Sequence, residues 1–221
     1  MPLILNIDTS IDTTYVCIAQ DEKILQSYFS DDQKSNATNL HTAIHDLLIS
    51  QNLTPKNLDA VAVTIGPGSY TGLRVGLATA KGLCYALKIP LINVGTLEMM
   101  VHHAISNGGF TKSLFCPMID ARRMEVFTAI YDDKMNEVLK PHAKIIEPQT
   151  FAEILLQNKI VFFGNGSKKW ENINISPNAI FLETKHFHKS LNIISLNNYM
   201  ESKFSDLGYI EPLYVKEFYN P

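Results

Sequence analysis

The stretch Gly66-Pro67-Gly68-Ser69-Tyr70-Thr71-Gly72-Leu73-Arg74-Val75-Gly76 constrains the fold more than any other part of the chain. Before it, residues 60–65 form a short run of apolar and β-branched residues that reads as a buried strand. After it, residues 72–87 read as a helix. A strand passing through a glycine turn into a helix points to an α/β architecture. Glycines in such a turn permit positive φ and close backbone approach, and the helix start offers N–H groups to an anion. The residues of the known phosphate loops are missing, however. A Walker loop needs Gly-Lys-Ser/Thr where Thr71-Gly72-Leu73 stands, and a dinucleotide fingerprint needs glycine where Thr71 sits. Spacing alone therefore favours a tight turn with close helix packing.

The rest of the chain supports this reading. Residues 3–8, 14–20 and 23–29 read as a meander of strands. Residues 38–51 carry Leu40, Ile44, Leu47 and Leu48 at helical spacing. A strand is expected at 90–94 and a helix at 96–106. Ser106-Asn107-Gly108-Gly109 is the best hinge, which divides the chain into lobes 1–107 and 108–221. The second lobe restarts with strands at 114–119 and 124–131 around the turn Asp120–Arg123. It continues with a helix at 149–157, a strand at 160–164 and a terminal helix at 188–204 that is expected to pack back on the first lobe. Element order is alike in the two halves, but no sequence repeat of fixed period links them.

Of the 221 residues, 46% are hydrophobic and 19% charged, a balance that supports a sizeable core. The net charge of −3 excludes a global basic field, so direct RNA contacts should not come mainly from this chain. Cys17, Cys84 and Cys116 are widely spaced and lie in apolar runs, which suits buried thiols better than a disulfide framework or a zinc site. The N-terminus lacks the pattern of a signal peptide and no apolar run is long enough to span a bilayer, so a cytoplasmic location is expected and no membrane contact. His41 and His45 share a helix face at i, i+4, but the glutamate of a zinc helix is missing and no third ligand is evident, so no metal is expected.

The whole string GPGSYTGLRVGLATAKGL resembles the signature of the bacterial TsaB (YeaZ) family and is similar to the same stretch of its catalytic paralogue, the TsaD family. Ile7-Asp8-Thr9-Ser10 resembles the first loop of both. Asp120-Ala121-Arg122-Arg123-Met124-Glu125-Val126 resembles the start of the second TsaB lobe. Glu211-Pro212-Leu213-Tyr214-Val215-Lys216 resembles the family's ending, with lysine in place of the usual arginine. The resemblance implies an actin-like, ribonuclease-H-like ATPase fold of two lobes, each with a mixed five-stranded sheet and helices. It also implies a role in placing threonylcarbamoyl on the tRNA adenosine beside the anticodon.

Within that resemblance the chain is expected to be a non-catalytic accessory subunit. The positions matching the two metal-binding histidines of the TsaD family are Thr96 and Met100, and neither replaces an imidazole. The family's second phosphate loop is replaced by Asp120–Arg123. Rival expectations are a stand-alone ATPase or kinase of the same fold and a glycoprotease-type peptidase. The expected partner is a TsaD-like subunit, joined in the complex by a TsaE-like ATPase. Contact with tRNA comes only through the complex, and the free chain can pair with itself. The expected partner face comprises Thr38, His41, His45, Leu48, Arg74, Gly76, Ala78, Ala80, Lys81 and Tyr85. Asp8, Thr9, Ser10, Gly66, Gly68 and Ser69 are expected nearest any nucleotide. No cofactor is expected to bind tightly, and ATP or ADP belongs at the interface of the complex.

Overall fold

The computed structural model describes residues 1–11, 13–31, 36–174, 176–184 and 187–216, without the side chains of residues 36–38. Two compact units emerge from the contacts: residues 1–96 with 188–213, and residues 97–187 with 214–221. The expected boundary at 107/108 differs from this. The helix Thr96–Gly108 falls almost wholly in the second unit, and the segment from His188 to Leu213 falls in the first.

Unit 1 is built on five strands: β1 (Leu3–Asp8), β2 (Thr14–Gln20), β3 (Lys23–Ser30), β4 (Ala60–Gly66) and β5 (Leu91–Gly95), in spatial order β3-β2-β1-β4-β5. β1 pairs antiparallel with β2 and parallel with β4, which pairs parallel with β5. Helix α1 (Asn36–Ser50) buries Leu40, Ala43, Ile44, Leu47 and Leu48, the one-sided stripe its spacing predicts. Helix α2 (Tyr70–Leu87) buries Leu73, Leu77 and Cys84. These helices and Leu5, Ile7, Val16, Ile18, Val61 and Val63 of the sheet form one core.

Unit 2 repeats the strand plan. Helix α3 (Thr96–Gly108) leads to β6 (Leu114–Asp120), β7 (Glu125–Tyr131), β8 (Glu137–Ile145), β9 (Ile160–Phe163) and β10 (Ala179–Leu182), in order β10-β9-β6-β7-β8. β6 pairs antiparallel with β7 and parallel with β9. The element order β3-β2-β1-β4-β5 thus recurs with β6 in the place of β1. The helices do not recur at the same size. α4 (Ala152–Leu155) and α5 (Ser167–Glu171) are single turns. The helix expected over 149–157 is therefore mostly loop, and α5, β8 and β10 were not foreseen. β8 contains Lys140, Pro141, His142 and Lys144 and lies at the sheet edge, where proline and charge are tolerated but blur the strand pattern. Phe162, Trp170, Ile146, Leu155, Cys116 and Met118 form the core of unit 2.

The last helix, α6 (Lys189–Met200), packs on β1 and β5 of unit 1. All three cysteines are buried free thiols. Burial pushes Cys17 and Cys84 up to about 11 and Cys116 up to about 12. No helix among the described residues is long and apolar enough to cross a membrane.

Candidate functional site

The glycine string and the first loop meet at the end of β1 and β4. An added Cβ on Gly68 would lie 1.8 Å from Ser10 O, on Gly72 2.0 Å from Thr9 O, and on Gly76 2.3 Å from Thr9 Oγ1. These three glycines are therefore required by close approach. What approaches is the chain's own first loop. Ser69 N donates to Ser10 O at 2.7 Å, and Thr9 Oγ1 donates to Gly72 O at 2.7 Å. Ser69 caps α2 by accepting from Gly72 N at 3.3 Å.

Asp8 sits under this loop and is fully buried. Its Oδ1 accepts from Ser10 N at 3.0 Å, Ser10 Oγ at 2.6 Å and Thr64 Oγ1 at 2.8 Å. Its Oδ2 lies 3.3 Å from His188 Nδ1. The His188 ring stacks on Tyr15 with centroids 5.0 Å apart and tilts against Phe29 at 5.5 Å. Burial works to raise the Asp8 pKa, but the His188 hydrogen bond and charge and the Ser10 bonds outweigh it, so the carboxyl lies below its ordinary value. With four donors around it, Asp8 is committed to holding the loop. Ser10 and His188 both turn toward the carboxylate rather than toward each other. A serine hydrolase needs the serine on the histidine and the histidine on the acid.

The corresponding end of unit 2 lies around Asp120, at the end of β6. Arg122 N donates to Asp120 Oδ1 at 2.6 Å, the same carboxylate-to-i+2 turn that Asp8 makes with Ser10. Lys169 Nζ reaches Asp120 Oδ1 at 2.6 Å and Glu125 O at 3.1 Å, and Lys216 Nζ reaches Glu125 Oε2. Asp120 also lies below its ordinary value. Slight burial opposes this, but the Lys169 bond, the Arg122 N–H and the Lys169 charge prevail. Arg122 and Arg123 are both exposed and both in the left-handed region, with φ of 71° and 49°.

Of the residues expected near a nucleotide, Asp8, Thr9, Ser10, Gly68 and Ser69 lie together around the chain's own first loop, whereas Gly66 packs against Leu213 O and Leu73. The expected partner face needs correction at three positions. Leu48, Gly76 and Ala80 are buried inside unit 1, because Leu48 points into the core and Gly76 and Ala80 face the sheet and the first loop. His41, His45, Arg74, Ala78 and Tyr85 are exposed, and Lys81 is half-buried. The side chain of Thr38 lies outside the described residues. His45 Nδ1 is 3.2 Å from Asp46 Oδ1, and no metal-ligand cluster occurs among the described residues. Thr96 and Met100 are buried. Sequence reasoning missed His188 and Lys169, which lie 180 and 49 positions from the carboxylates they serve. Thr64 had a local signal, as a lone hydroxyl in an otherwise apolar strand.

Two units of β3-β2-β1-β4-β5 order, each with a carboxylate turn after its first strand, define an actin-like, ribonuclease-H-like ATPase fold. The crystal structure of a *Pseudomonas aeruginosa* protein described as uncharacterized with similarity to peptidase YEAZ shares this fold, with a TM-score of 0.82 and 22% identity over 98% of this chain and 100% of that one. A *Bacillus subtilis* tRNA threonylcarbamoyladenosine biosynthesis protein TsaB is 35% identical over 131 residues, 59% of this chain and 56% of the relative. The *Escherichia coli* TsaB is 25% identical over 96% of this chain and 94% of its own length. A family model described as TsaD, tRNA N6-adenosine threonylcarbamoyltransferase, matches residues 28–190. The chain belongs to that family, and its relatives place it in the TsaB (YeaZ) branch.

Proposed function

We propose that the chain works in tRNA threonylcarbamoyladenosine biosynthesis as a non-catalytic subunit that binds a TsaD-like protein and supports its transfer of threonylcarbamoyl to the adenosine next to the anticodon. The observation that carries this reading is the closed first loop. The glycine string packs on Thr9 and Ser10, and Asp8 has its acceptor sites filled by Ser10, Thr64 and His188. A carboxylate so engaged is poorly placed to act as general base or metal ligand. The rival peptidase reading is disfavoured because Ser10 and His188 share Asp8 without bonding each other. A stand-alone ATPase or kinase is disfavoured by the loop that fills the α2 glycines.

In this reading ATP or ADP is bound at the interface of the complex, a TsaE-like ATPase joins the assembly, and tRNA is reached through the partner. The free chain forms a homodimer when its partner face is unoccupied. The test is reconstitution of tRNA modification from purified components with and without this chain. Loss of modified adenosine on omission is expected. Full modification without it, or steady ATP hydrolysis by the chain alone at an enzyme-like rate, overturns the reading.

A further inference from the structure

Among the described residues the two sheets have four edge strands, and these are guarded unequally. In unit 1 the outer side of β5 is met by the returning chain. Ser205 bridges Leu91 antiparallel, its N–H donates to Leu91 O at 2.8 Å, and Asn93 Nδ2 donates to Ser205 Oγ at 3.0 Å. In unit 2, β8 carries Lys140, Pro141 and Lys144, and β10 is only four residues long. A covering segment, charge, proline and brevity are the devices that keep edges from pairing with other chains. β3, the remaining edge, has none of them. It is eight residues long, has no proline, and its single charged residue is Lys23 at its start.

Ser27 stands opposite Cys17 of β2, but its N–H is turned away from that strand and donates to the side chain of its own neighbour, Gln26 Oε1, at 3.3 Å. An edge amide thus holds an exposed side-chain acceptor where the carbonyl of a further strand would fit. Beside it runs a groove of about 520 Å³. β3 from Gln26 to Tyr28 forms one wall. Asn39, Thr42, Asp46 and Ser50 of α1, at spacings of three, four and four, form the other. Asp46 is the only charged residue lining the groove among the described residues, and its Oδ1 lies 3.2 Å from His45 Nδ1. A strand added to β3 turns alternate side chains toward α1, where they meet a polar wall with one carboxylate.

We propose that β3 is a docking edge that takes an extended segment of another protein as a further strand of the unit 1 sheet, with a lysine or arginine of that segment against Asp46. Main-chain hydrogen bonds supply the hold, and the groove supplies the selection. The carboxylate fixes the sign: a cationic side chain is attracted, and an anionic one or a phosphate backbone is repelled. A second copy of this chain does not meet the requirement, because β3 carries Gln26 and Tyr28 into the groove and brings no cation to Asp46. The inference uses neither α2 nor its glycines, and it stands or falls independently of the accessory-subunit reading.

The probe is a library of random linear peptides of about ten residues, the length of a long strand, selected against the immobilised full chain. Enriched peptides are expected to carry lysine or arginine and to shift the backbone amide resonances of residues 24–29 in the isotope-labelled chain. In Asp46→Lys the enriched charge should reverse to aspartate or glutamate. Ser27→Pro removes the outward N–H at an edge, where proline is tolerated, and is expected to weaken the best peptide about tenfold or more while the melting temperature holds. If that variant melts early, methylation of the peptide's own amides decides the matter on the unaltered chain: blocking one alternate set should abolish binding, and blocking the other should leave it. Four results each overturn the proposal: no enrichment, enriched peptides that leave the β3 amides unshifted, a charge preference unchanged in Asp46→Lys, or binding that tolerates methylation of both amide sets. Concentration-dependent shifts of the β3 amides in the chain alone overturn the peptide occupant in favour of self-pairing.

Discussion

Both units end their first strand in an aspartate that folds back onto the N–H two residues later, but the two aspartates live in opposite surroundings. Asp8 is sealed in, with hydroxyl donors from Ser10 and Thr64 and an imidazole from α6. Asp120 is on the surface, with one lysine and one backbone N–H. The difference follows from what each sheet carries. Unit 1 has two long helices and α6 on its sheet, so the end of β1 is covered. Unit 2 has one long helix, α3, beside the single-turn α4 and α5, and its core is rich in aromatic side chains. The same strand order therefore supports a buried polar network in one half and an exposed ion pair in the other.

The comparison is broken most severely where unit 2 depends on one residue. Trp170 is fully buried, packs on Phe162 at 4.4 Å and edge-on to Phe151 at 5.7 Å, and donates to Glu147 O at 3.2 Å. Trp170→Ala should cost about 3–5 kcal/mol. Hydrogen exchange should show the loss first in β9 and β10; uniform loss across both units would mean that they unfold as one.

The buried aspartate comes next. Asp8→Asn should cost about 3 kcal/mol, the lower end for breaking a buried pair, whereas Asp120→Asn should cost at most about 1 kcal/mol, as exposed pairs do. Denaturant unfolding of the two variants measures this contrast, and equal costs would refute it. The pH dependence has a definite sign. Because the Asp8 carboxyl is held below its ordinary value of 3.8, its contribution is complete above that value and is lost as pH falls through the lowered one. The acid limb of stability should flatten in Asp8→Asn.

Two glycines, one in the turn before α2 and one within it, should respond with opposite signs. Gly68→Ala drives a methyl into Ser10 O and should cost about 1–3 kcal/mol. Gly82 has open space within 4 Å, so Gly82→Ala should stabilise the free subunit by roughly 0.5–1 kcal/mol through helix propensity. Melting of the two variants is the measurement; a stable Gly68→Ala chain would show that the first loop yields to α2.

The sequence alone determined the α/β class, every strand of unit 1 and the helices α1 to α3. Their apolar spacings are regular and their ends are marked by glycine, proline or polar residues. It also singled out the first loop and the glycine string, because close backbone approach leaves glycine as the only residue that fits. It did not yield β8, an edge strand whose pattern Pro141 and its neighbouring charges blur, nor the short β10 and the single turn α5. Nor did it separate the exposed from the buried members of the small-residue rows on α2. Gly76 and Ala80 face inward while Ala78 and Gly82 face out, and a small side chain reads the same in both places. Only the tertiary structure decided that the glycines receive the chain's own loop, that His188 closes on Asp8, and that Lys81 of α2 reaches Ile210 O. Each depends on groups far apart in sequence, from 63 positions for Thr9 and Gly72 to 180 for Asp8 and His188, and hydrogen bonds at such separations leave no local pattern to read.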